Sequence, residues 1–374
     1  MEFLDLFSGI GGFRLGMEMA GHECVGHVEW DKYARITYGA NFNIEGEWTG
    51  EDITNITDGD LEGLRGKGID VICGGFPCQA FSVAGKRGGF NDTRGTLFFE
   101  IARIAKQIQP RLLLLENVKG LLSHDKGNTF GTILNTLDEL GYDCEWQVLN
   151  SKNFGVPQNR ERVFIIGHLR GSGGREVFPV GGENENSIEQ IGNIDQYKRK
   201  RENPQTGRIY SAEGLSPTLS IMQGGGLEPK VLVKGNVNPS GNGAAQDRHG
   251  VMISEATKQG YDIATEGDSI NLTCPNSKTK RGRVGKGIAN TLDTQCNQAT
   301  LTKGRIRKLT PLECFRLQGF PDSHHHNAVK AGVSNSQLYK QAGNSVTVNV
   351  VYEIAKKRGN VEYYSRGKQS DQRS

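Results

Sequence analysis

The sequence lacks the paired cysteines that mark a metal-bound or disulfide-bonded scaffold. Its 374 residues include seven cysteines, an odd number, and no two of them form a C-x-x-C pair. Zinc ribbons and disulfide frameworks depend on such pairs or on even cysteine counts, so we expect neither. Most of the thiols should be reduced and buried.

Long apolar runs are missing as well. No run approaches the ~18 apolar residues that a membrane span needs. The N-terminal residues 1–5 lack the basic region and apolar core of a signal peptide. We therefore expect a cytoplasmic protein with no membrane partner. A large excess of one charge is also absent, because the net charge is only +3, which permits nucleic-acid binding without requiring it.

Residues 1–170 alternate between apolar strands and helical stretches. Strands are predicted near 3–7, 24–28, 69–73, 111–115 and 163–167, and helices near 13–20 and 95–108. This alternation predicts an α/β fold with a doubly wound parallel sheet. Near the C-terminus, Thr310 can cap a helix that has Pro311 in its first turn. A closing helix is predicted over 346–354.

The composition changes after about residue 170. Residues 171–305 are rich in Gly, Asn, Ser, Thr and Gln and show little helical periodicity. This texture predicts a second domain that is rich in β-strands and loops.

A glycine-rich turn joins the first strand to the first helix. Ser8, Gly9, Ile10, Gly11 and Gly12 would let a ligand approach the backbone and the helix N-terminus. Glu29 ends the second strand, where an acidic residue commonly binds the ribose hydroxyls of an adenosine cofactor. Asp52 and Ile53 follow a further strand and could hold the adenine edge. These residues indicate a nucleoside cofactor, with NAD and S-adenosylmethionine both open.

A cysteine and a carboxylate stand at two neighbouring strand ends. Cys78 follows the strand near 69–73, and Glu116 follows the strand near 111–115. Reacting groups of open α/β sheets gather at this edge, so the pair suggests covalent catalysis with acid assistance. Together with Arg160 and Arg162, this set suits a polarised heterocycle better than hydride transfer.

Six short sequence motifs follow one another along the chain. They are residues 5–12 (DLFSGIGG), 74–82 (GGFPCQAFS), 116–118 (ENV), 158–162 (QNRER), 307–314 (RKLTPLEC) and 341–346 (QAGNSV). In these motifs the chain resembles the bacterial and phage C5-cytosine DNA methyltransferases. The resemblance covers nearly all of residues 1–355 except the variable middle.

The resemblance implies roles for the four residues of the proposed reaction centre. Cys78 would add to C6 of cytosine, and Glu116 would hold N3 and the exocyclic amine. Arg162 would bind O2, and Arg160 would add positive charge and help to order the site. Because the target atom is inaccessible in stacked duplex DNA, the base would be flipped out.

The same resemblance implies S-adenosylmethionine as the cofactor and no metal ion. Phe7 would stack on adenine, Glu29 would bind the ribose, and Trp30 would pack against the sugar or base. The pocket would be completed by Pro77, Leu97, Asn344 and Ser345, beside the glycine turn and the pair Asp52 and Ile53. The run 324–326 of three histidines is interpreted as a plain loop.

Double-stranded DNA is the implied partner. A mobile loop after the cysteine would contribute Ser82, Lys86, Arg87 and Arg94. The variable middle carries two basic runs, 198–201 and 278–286, and Arg281 lies in the second. Lys and Arg in such runs are candidates for phosphate contacts.

The middle also holds a weak repeat. Arg208 and Thr218 in the first copy correspond to Arg283 and Thr291 in the second, and all four are predicted DNA contacts. Either both copies read one long site, or each reads its own. One site is favoured, because only the copy at 283–298 adjoins Arg307.

The implied organisation is a catalytic and cofactor-binding domain over 1–175 and 337–374, a target recognition domain over 176–310 and a connecting segment over 311–336. We expect a monomer, with self-protection of a phage or pairing with a cognate restriction endonuclease as its setting. Two alternatives stay open. One is a tRNA cytosine-5 methyltransferase, against which the long basic middle argues. The other is a non-catalytic DNA-binding module, against which Cys78, Glu116 and Arg162 argue.

Overall fold

The computed structural model describes the greater part of the chain. The described residues are 1–77, 97–173, 177–181, 190–193, 208–210, 230–231, 251–273, 279, 281–302 and 305–357. Two compact units are separable: Met1–Val180 together with His249–Ser374, and Gly181–Arg248. The first unit contains the large sheet, whereas the second contains a three-stranded sheet.

Seven strands form the large sheet, in the order β3-β2-β1-β4-β5-β8-β6. With the short strand β7, their bounds are β1 (Glu2–Leu6), β2 (Glu23–Val28), β3 (Trp48–Gly50), β4 (Val71–Gly75), β5 (Leu112–Val118), β6 (Tyr142–Asn150), β7 (Gln158–Asn159) and β8 (Glu161–Leu169). The five strands β3, β2, β1, β4 and β5 are parallel. β8 runs antiparallel to both β5 and β6. The α/β prediction is confirmed, with an antiparallel edge that the sequence did not predict.

The helices cover both faces of this sheet. Their bounds are α1 (Gly12–Met19), α2 (Lys32–Asn41), α3 (Asp58–Arg65), α4 (Leu97–Ile108), α5 (Asn128–Glu139), α6 (Pro311–Leu317), α7 (Asp322–Lys330) and α8 (Asn335–Asn344), and residues 348–357 form α9. Alternation along β1 divides the core, because Leu4 and Leu6 pack with α3, α4 and α5. Phe3 faces the other way and packs with α1 and α9. This two-sided burial is the doubly wound arrangement.

Helix α6 begins where the sequence predicted. Thr310 Oγ1 accepts a hydrogen bond from Glu313 N, and the Glu313 carboxylate accepts one from Thr310 N. This reciprocal capping box satisfies two amides at the helix start.

The remaining described strands are short. β9 (Gln190–Asn193), β10 (Arg208–Tyr210) and β11 (Lys230–Val231) form the sheet of the second unit. In the first unit, β12 (Val251–Ser254) pairs with β13 (Tyr261–Ala264). A four-stranded sheet follows in the order β15-β14-β17-β18, and β16 pairs with β7. These strands are β14 (Ser269–Asn271), β15 (Val284–Gly285), β16 (Ala289–Asn290), β17 (Gln298–Thr302) and β18 (Arg305–Lys308).

The histidine run corrects one prediction. Residues 324–326 lie inside helix α7 and do not form a loop. His324 is buried between the rings of Phe42 and Phe320, at centroid distances of 5.4 and 5.5 Å. Phe42 comes from a distant position in the sequence and Phe320 from the turn just before α7, and together they place His324 in the core. Among the described residues, no helix is long and apolar enough to cross a membrane.

The buried His324 ring predicts acid sensitivity. Burial lowers the pKa of His324 from 6.5 to about 4, so the folded protein holds this ring neutral while the unfolded chain protonates it. The stabilising contribution is complete above pH 6.5 and is lost as the pH falls to about 4. At ~1.4 kcal/mol per pH unit, the loss approaches about 3 kcal/mol. In denaturant titrations at pH 7 and pH 4, His324→Leu should lose less stability than the wild type. The exposed His326→Leu should behave like the wild type, and equal losses in all three proteins would contradict the assignment.

Candidate active site at the carboxyl edge of the sheet

The turn between β1 and α1 is tightly folded. Phe7, Gly9 and Gly11 adopt positive φ angles of 55°, 57° and 85°. An added Cβ on Gly12 would lie 2.8 Å from Ser345 Oγ and 2.9 Å from the Val346 carbonyl oxygen. Glycine is therefore required at position 12, because the turn packs directly against the chain that follows α8. The strained Phe7 marks this turn as a functional candidate.

Glu29 joins the ends of β1 and β2. Its Oε2 accepts a hydrogen bond from Gly9 N at 2.7 Å, and its Oε1 accepts one from Asp31 N at 2.7 Å. Burial raises the pKa of Glu29, and the two backbone donors partly oppose this shift. The carboxylate is thus fixed at the end of β2, beside the glycine turn.

A cavity of about 590 Å³ lies above this edge, within the size range of small-molecule sites. Most of the predicted cofactor residues line it, namely Phe7, Ser8, Gly9, Ile10, Gly12, Glu29, Trp30, Pro77, Leu97, Asn344 and Ser345. The predicted reaction residues Glu116, Arg160 and Arg162 line the same cavity. One space therefore connects the glycine turn with the candidate acid and the two arginines.

Three predicted cofactor residues do not line the cavity. Gly11 packs against Phe42, whose ring atoms an added Cβ would meet at 2.2 Å. The Asp52 carboxylate accepts a hydrogen bond from Thr54 N and caps a short 3-10 turn. Ile53 is buried in the core beneath the sheet. Adenine binding by Asp52 and Ile53 stays a prediction.

Two lining side chains have unused binding capacity. Ser8 Oγ is buried and, within the described part of the chain, has no hydrogen-bond partner. The Trp30 side chain is 74% exposed although it lines the cavity. A buried hydroxyl without a partner and an uncovered indole fit a ligand that has both polar groups and a flat ring.

Glu116 forms an ion pair with Arg162 across neighbouring strands. The distance from Arg162 Nε to Glu116 Oε1 is 2.9 Å, and both side chains are largely buried. Burial raises the pKa of Glu116, and the charges of Arg162 and Arg160 partly oppose the rise. An added Cβ on Gly75 would lie 3.0 Å from Glu116 Oε2, so the glycine provides room for the carboxylate.

Asn117 is a site residue that the sequence analysis did not select. Its Nδ2 donates to the Phe76 carbonyl at 2.9 Å, and its Oδ1 accepts from Val118 N at 2.8 Å. Its position beside Glu116 in ENV was the available signal. The side chain joins the end of β5 to the end of β4, two residues before Cys78.

Arg160 is buried and binds the backbone. Its Nη1 donates to the Leu292 carbonyl at 3.3 Å, and its Nη2 donates to the carbonyls of Gly343 and Ser345 at 3.1 and 2.7 Å. Burial and the neighbouring Arg162 lower the pKa of Arg160, although a guanidinium stays charged in proteins. Gln158, also missed from sequence, is buried and donates to the Leu317 carbonyl at 2.7 Å.

Several predicted residues lie outside the described residues: Cys78, Ser82, Lys86, Arg87, Arg94 and Thr218. Arg208 begins strand β10. Arg281 is exposed, and its Nε donates to the Ala256 carbonyl at 2.8 Å. Thr291 is exposed, and its Oγ1 donates to the Asn159 carbonyl at 2.7 Å.

Arg283 does not have the exposed side chain that a phosphate contact needs. It is 4% exposed, and its guanidinium donates to the carbonyls of Ser254 and Asn271 at 2.6 and 3.2 Å. The basic run gave no sign of this burial, because the acceptors are backbone atoms of β12 and β14. In the described part of the chain, no group of three or more His, Cys, Asp or Glu side chains could hold a metal ion.

Comparisons with known proteins agree with this geometry. A family model described as C-5 cytosine-specific DNA methylase matches residues 1–360. Type II methyltransferase M.HpaII from Haemophilus parainfluenzae is 38% identical, over 95% of this chain and 88% of that protein. Orphan methyltransferase M.SPRI from Bacillus phage SPR is 34% identical, over 95% and 97%. The crystal structure of a Spodoptera frugiperda DNMT2 mutant shares the fold, with a TM-score of 0.54, 19% identity and coverage of 95% of this chain and 98% of that one.

The Arg160 contacts predict a large stability loss on substitution. Arg160→Gln would remove the donors from three backbone carbonyls, and we expect at least about 3 kcal/mol of destabilisation. Arg316→Gln is the matched control, since it breaks a largely exposed ion pair with Asp322 and should cost at most about 1 kcal/mol. Urea denaturation of both variants measures the difference. Equal losses would show that the buried contacts are not the main stabilising contribution.

Proposed function

The chain belongs to the C-5 cytosine-specific DNA methylase family, and on this basis we propose that it transfers a methyl group from S-adenosylmethionine to C5 of a flipped cytosine in duplex DNA. The observation that carries the proposal is the single cavity that joins the glycine turn and Glu29 to the Glu116–Arg162 pair. The methyl donor and the acceptor base must meet in one space. This cavity has the candidate cofactor residues at one end and the candidate base-binding residues at the other.

The residues at the glycine turn fit the cofactor. Glu29 is fixed by two backbone amides and can accept from ribose hydroxyls, and the Ser8 hydroxyl has capacity for one further hydrogen bond. Trp30 and Phe7 offer flat surfaces for the adenine and the sugar, while Pro77, Leu97, Asn344 and Ser345 complete the wall. When bound there, S-adenosylmethionine supplies an electrophilic methyl group.

The proposed nucleophile is Cys78. Its thiolate would form a bond to C6 of cytosine, which makes C5 electron-rich and able to take up the methyl group. Loss of the C5 proton and cleavage of the C6–sulfur bond would then restore the aromatic base and the free cysteine. Asn117 supports this role, because it fixes the Phe76 carbonyl two residues before Cys78.

Glu116 is the proposed acid. Burial raises the pKa of Glu116, so this carboxylate takes up a proton more readily than a solvated one, and as the acid it would hydrogen-bond N3 of cytosine while Cys78 adds to C6. Arg162, 2.9 Å away, would orient Glu116 and bind the cytosine O2. Arg160 is proposed as the residue that holds the chain around the site, since its guanidinium is bound to backbone carbonyls.

For DNA contacts we propose Ser82, Lys86, Arg87 and Arg94 after the nucleophile, and Arg281 and Thr291 near the second repeat copy. We leave Arg283 out because its guanidinium is buried. The first copy, with Arg208 and Thr218, is proposed to act on the same recognition site. Pairing of β16 with β7 supports the second copy, since it connects the residues before Thr291 to the catalytic motif.

The biological setting is part of the proposal. A monomeric enzyme in the cytoplasm would modify double-stranded DNA, either beside a restriction endonuclease or to protect phage DNA. The recognition domain is proposed over 176–310, between a catalytic part over 1–175 and 337–374 and a connecting segment over 311–336.

The direct test is methyl transfer by the purified protein. With tritiated S-adenosylmethionine, unmethylated plasmid DNA should become labelled, while total tRNA should not. Cys78→Ser should abolish labelling, because a serine hydroxyl is far less ionised than a thiol. Cys144→Ser is the matched control on β6 and should stay active. Labelling of tRNA alone would replace DNA by tRNA as the substrate, and an active Cys78→Ser would exclude the covalent route.

Glu116→Gln tests the acid. The amide keeps the shape of the carboxyl and can still donate a hydrogen bond, but it cannot transfer a proton, so we expect kcat to fall at least ~10²-fold. KM for DNA should change much less. Glu139→Gln, an exposed change at the end of α5, is the control and should leave kcat unchanged. A parallel loss of affinity and rate in Glu116→Gln would identify Glu116 as a binding residue instead.

A further inference from the structure

A buried carboxylate lies beneath the second basic run. Glu255 follows β12 and is 7% exposed. Its Oε1 accepts hydrogen bonds from the backbone amides of Arg283 and Val284, at 2.5 and 3.1 Å. Its Oε2 accepts one from Gly282 N at 3.1 Å. Three successive amides therefore converge on one side chain, as they do in the backbone concavities that bind anions.

A second buried acid holds the other end of the same loop. Asp268 is 5% exposed and accepts hydrogen bonds from Gly287 N at 3.1 Å and from Lys286 Nζ at 3.0 Å. Ser269 Oγ donates to the Ile288 carbonyl at 2.7 Å. The stretch 281–288, which we call the acid-anchored loop, is thus bound to the neighbouring strands at both ends.

The loop has little room to adopt another path. Gly282 and Gly287 have φ angles of +64° and +63°, which favour glycine. An added Cβ on Gly285 would lie 2.1 Å from the Ile288 carbonyl oxygen. Arg283 points inward to the carbonyls of Ser254 and Asn271, so its charge also holds the loop in place.

Arg281 faces outward from this fixed backbone, whereas the ammonium of Lys286 is bound to the anchoring acid Asp268 and to the Ile263 carbonyl. Arg281 is exposed, with its Nε on the Ala256 carbonyl. The Lys286 side chain is 54% exposed even though its ammonium contacts Asp268. Gly282 and Gly287 lie beside them and are exposed, so a phosphate could approach the backbone closely. With the acids bound inside and Arg281 exposed outside, the loop presents a cation from a fixed backbone.

We propose that Glu255 and Asp268 are positioning residues that fix the acid-anchored loop for contact with DNA phosphates, with Arg281 as the principal contact. This inference rests on the proposed function, and it adds the residues that prepare the loop. Fixing the loop before binding removes part of the ordering cost that a mobile basic loop would carry. Glu255 acts through the backbone of 282–284 and does not touch the DNA.

Glu255→Gln distinguishes this role from simple electrostatics. The change removes one negative charge, which by itself strengthens attraction to DNA. The amide group can accept at only one of its two ends, so the three loop amides lose part of their anchor. If Glu255 positions the loop, the Glu255→Gln variant should therefore bind DNA more weakly than the wild type, although its net charge is more positive. We expect KM for unmethylated plasmid DNA to rise about tenfold, with kcat little changed.

Two further variants make the test decisive. Glu62→Gln makes the same charge change on the exposed face of α3 and should leave KM unchanged or slightly lower. Arg281→Gln should raise KM for DNA. It should also reduce the magnitude of the slope of log binding constant against log salt concentration by about one. In the double variant Glu255→Gln/Arg281→Gln, the increase in KM should be smaller than the two single increases combined. Once Arg281 no longer contacts the DNA, a displaced loop has less affinity left to lose.

Cofactor binding by calorimetry and the thermal unfolding midpoint show whether each variant is folded. Unchanged KM in both Glu255→Gln and Arg281→Gln, with an active wild type, would overturn the positioning role and leave the proposed function standing. If Glu255→Gln does not fold, Arg281→Gln decides alone, since an unchanged KM and salt slope would refute the loop contact. A wild type that transfers no methyl group to DNA would instead overturn the proposed function and this inference with it.

Discussion

The guanidinium of Arg160 is the contact on which the site depends most. It binds three carbonyls from two separate parts of the chain, at Leu292 and at Gly343 and Ser345. Leu292 lies within the second repeat copy, and Gly343 and Ser345 lie at the end of helix α8 beside the glycine turn. Gln158 strengthens the same junction, since it donates to Leu317 and accepts from Leu292 N. One charged side chain and one amide thus connect the sheet, the C-terminal helices and the strand-rich segment.

This junction leaves room only for glycine at its closest contacts. An added Cβ on Gly343 would lie 2.2 Å from the Asp293 carbonyl oxygen, and one on Gly74 would lie 2.4 Å from the Leu6 carbonyl oxygen. An added Cβ on Gly12 would lie 2.8 Å from Ser345 Oγ. These positions belong to three motifs far apart in the sequence. Their glycines reflect backbone packing as much as ligand access, because any side chain would separate the elements that carry the cavity wall.

The sheet, the glycine turn and Glu29 could be predicted from sequence because their signals are local, whereas much of the remaining cavity wall was implied by the family resemblance. The buried strands Val71–Gly75 and Leu112–Val118 are short apolar runs that end in Gly75 and Glu116. Strand β6 was missed because its buried and half-exposed residues follow no simple pattern. Asn117, Gln158 and the burial of His324 were missed for a related reason. Asn117 contacts Phe76, Gln158 contacts Leu292 and Leu317, and His324 contacts Phe42, and no local pattern encodes contacts between positions so far apart in the sequence.

Charge runs show how far such local interpretation can mislead. Residues 278–286 contain five basic residues and no acid, which by sequence indicates a uniformly solvated, positive face. In the folded chain the run is divided: Arg283 faces inward to backbone carbonyls, Lys286 is paired with the buried Asp268, and Arg281 faces outward. The compensating acids, Glu255 and Asp268, precede the run by ten or more residues and are buried under the loop. The surface potential of this loop therefore depends on which of its charged side chains are buried and which are exposed. A buried carboxylate can favour anion binding when it fixes the backbone that carries an exposed cation.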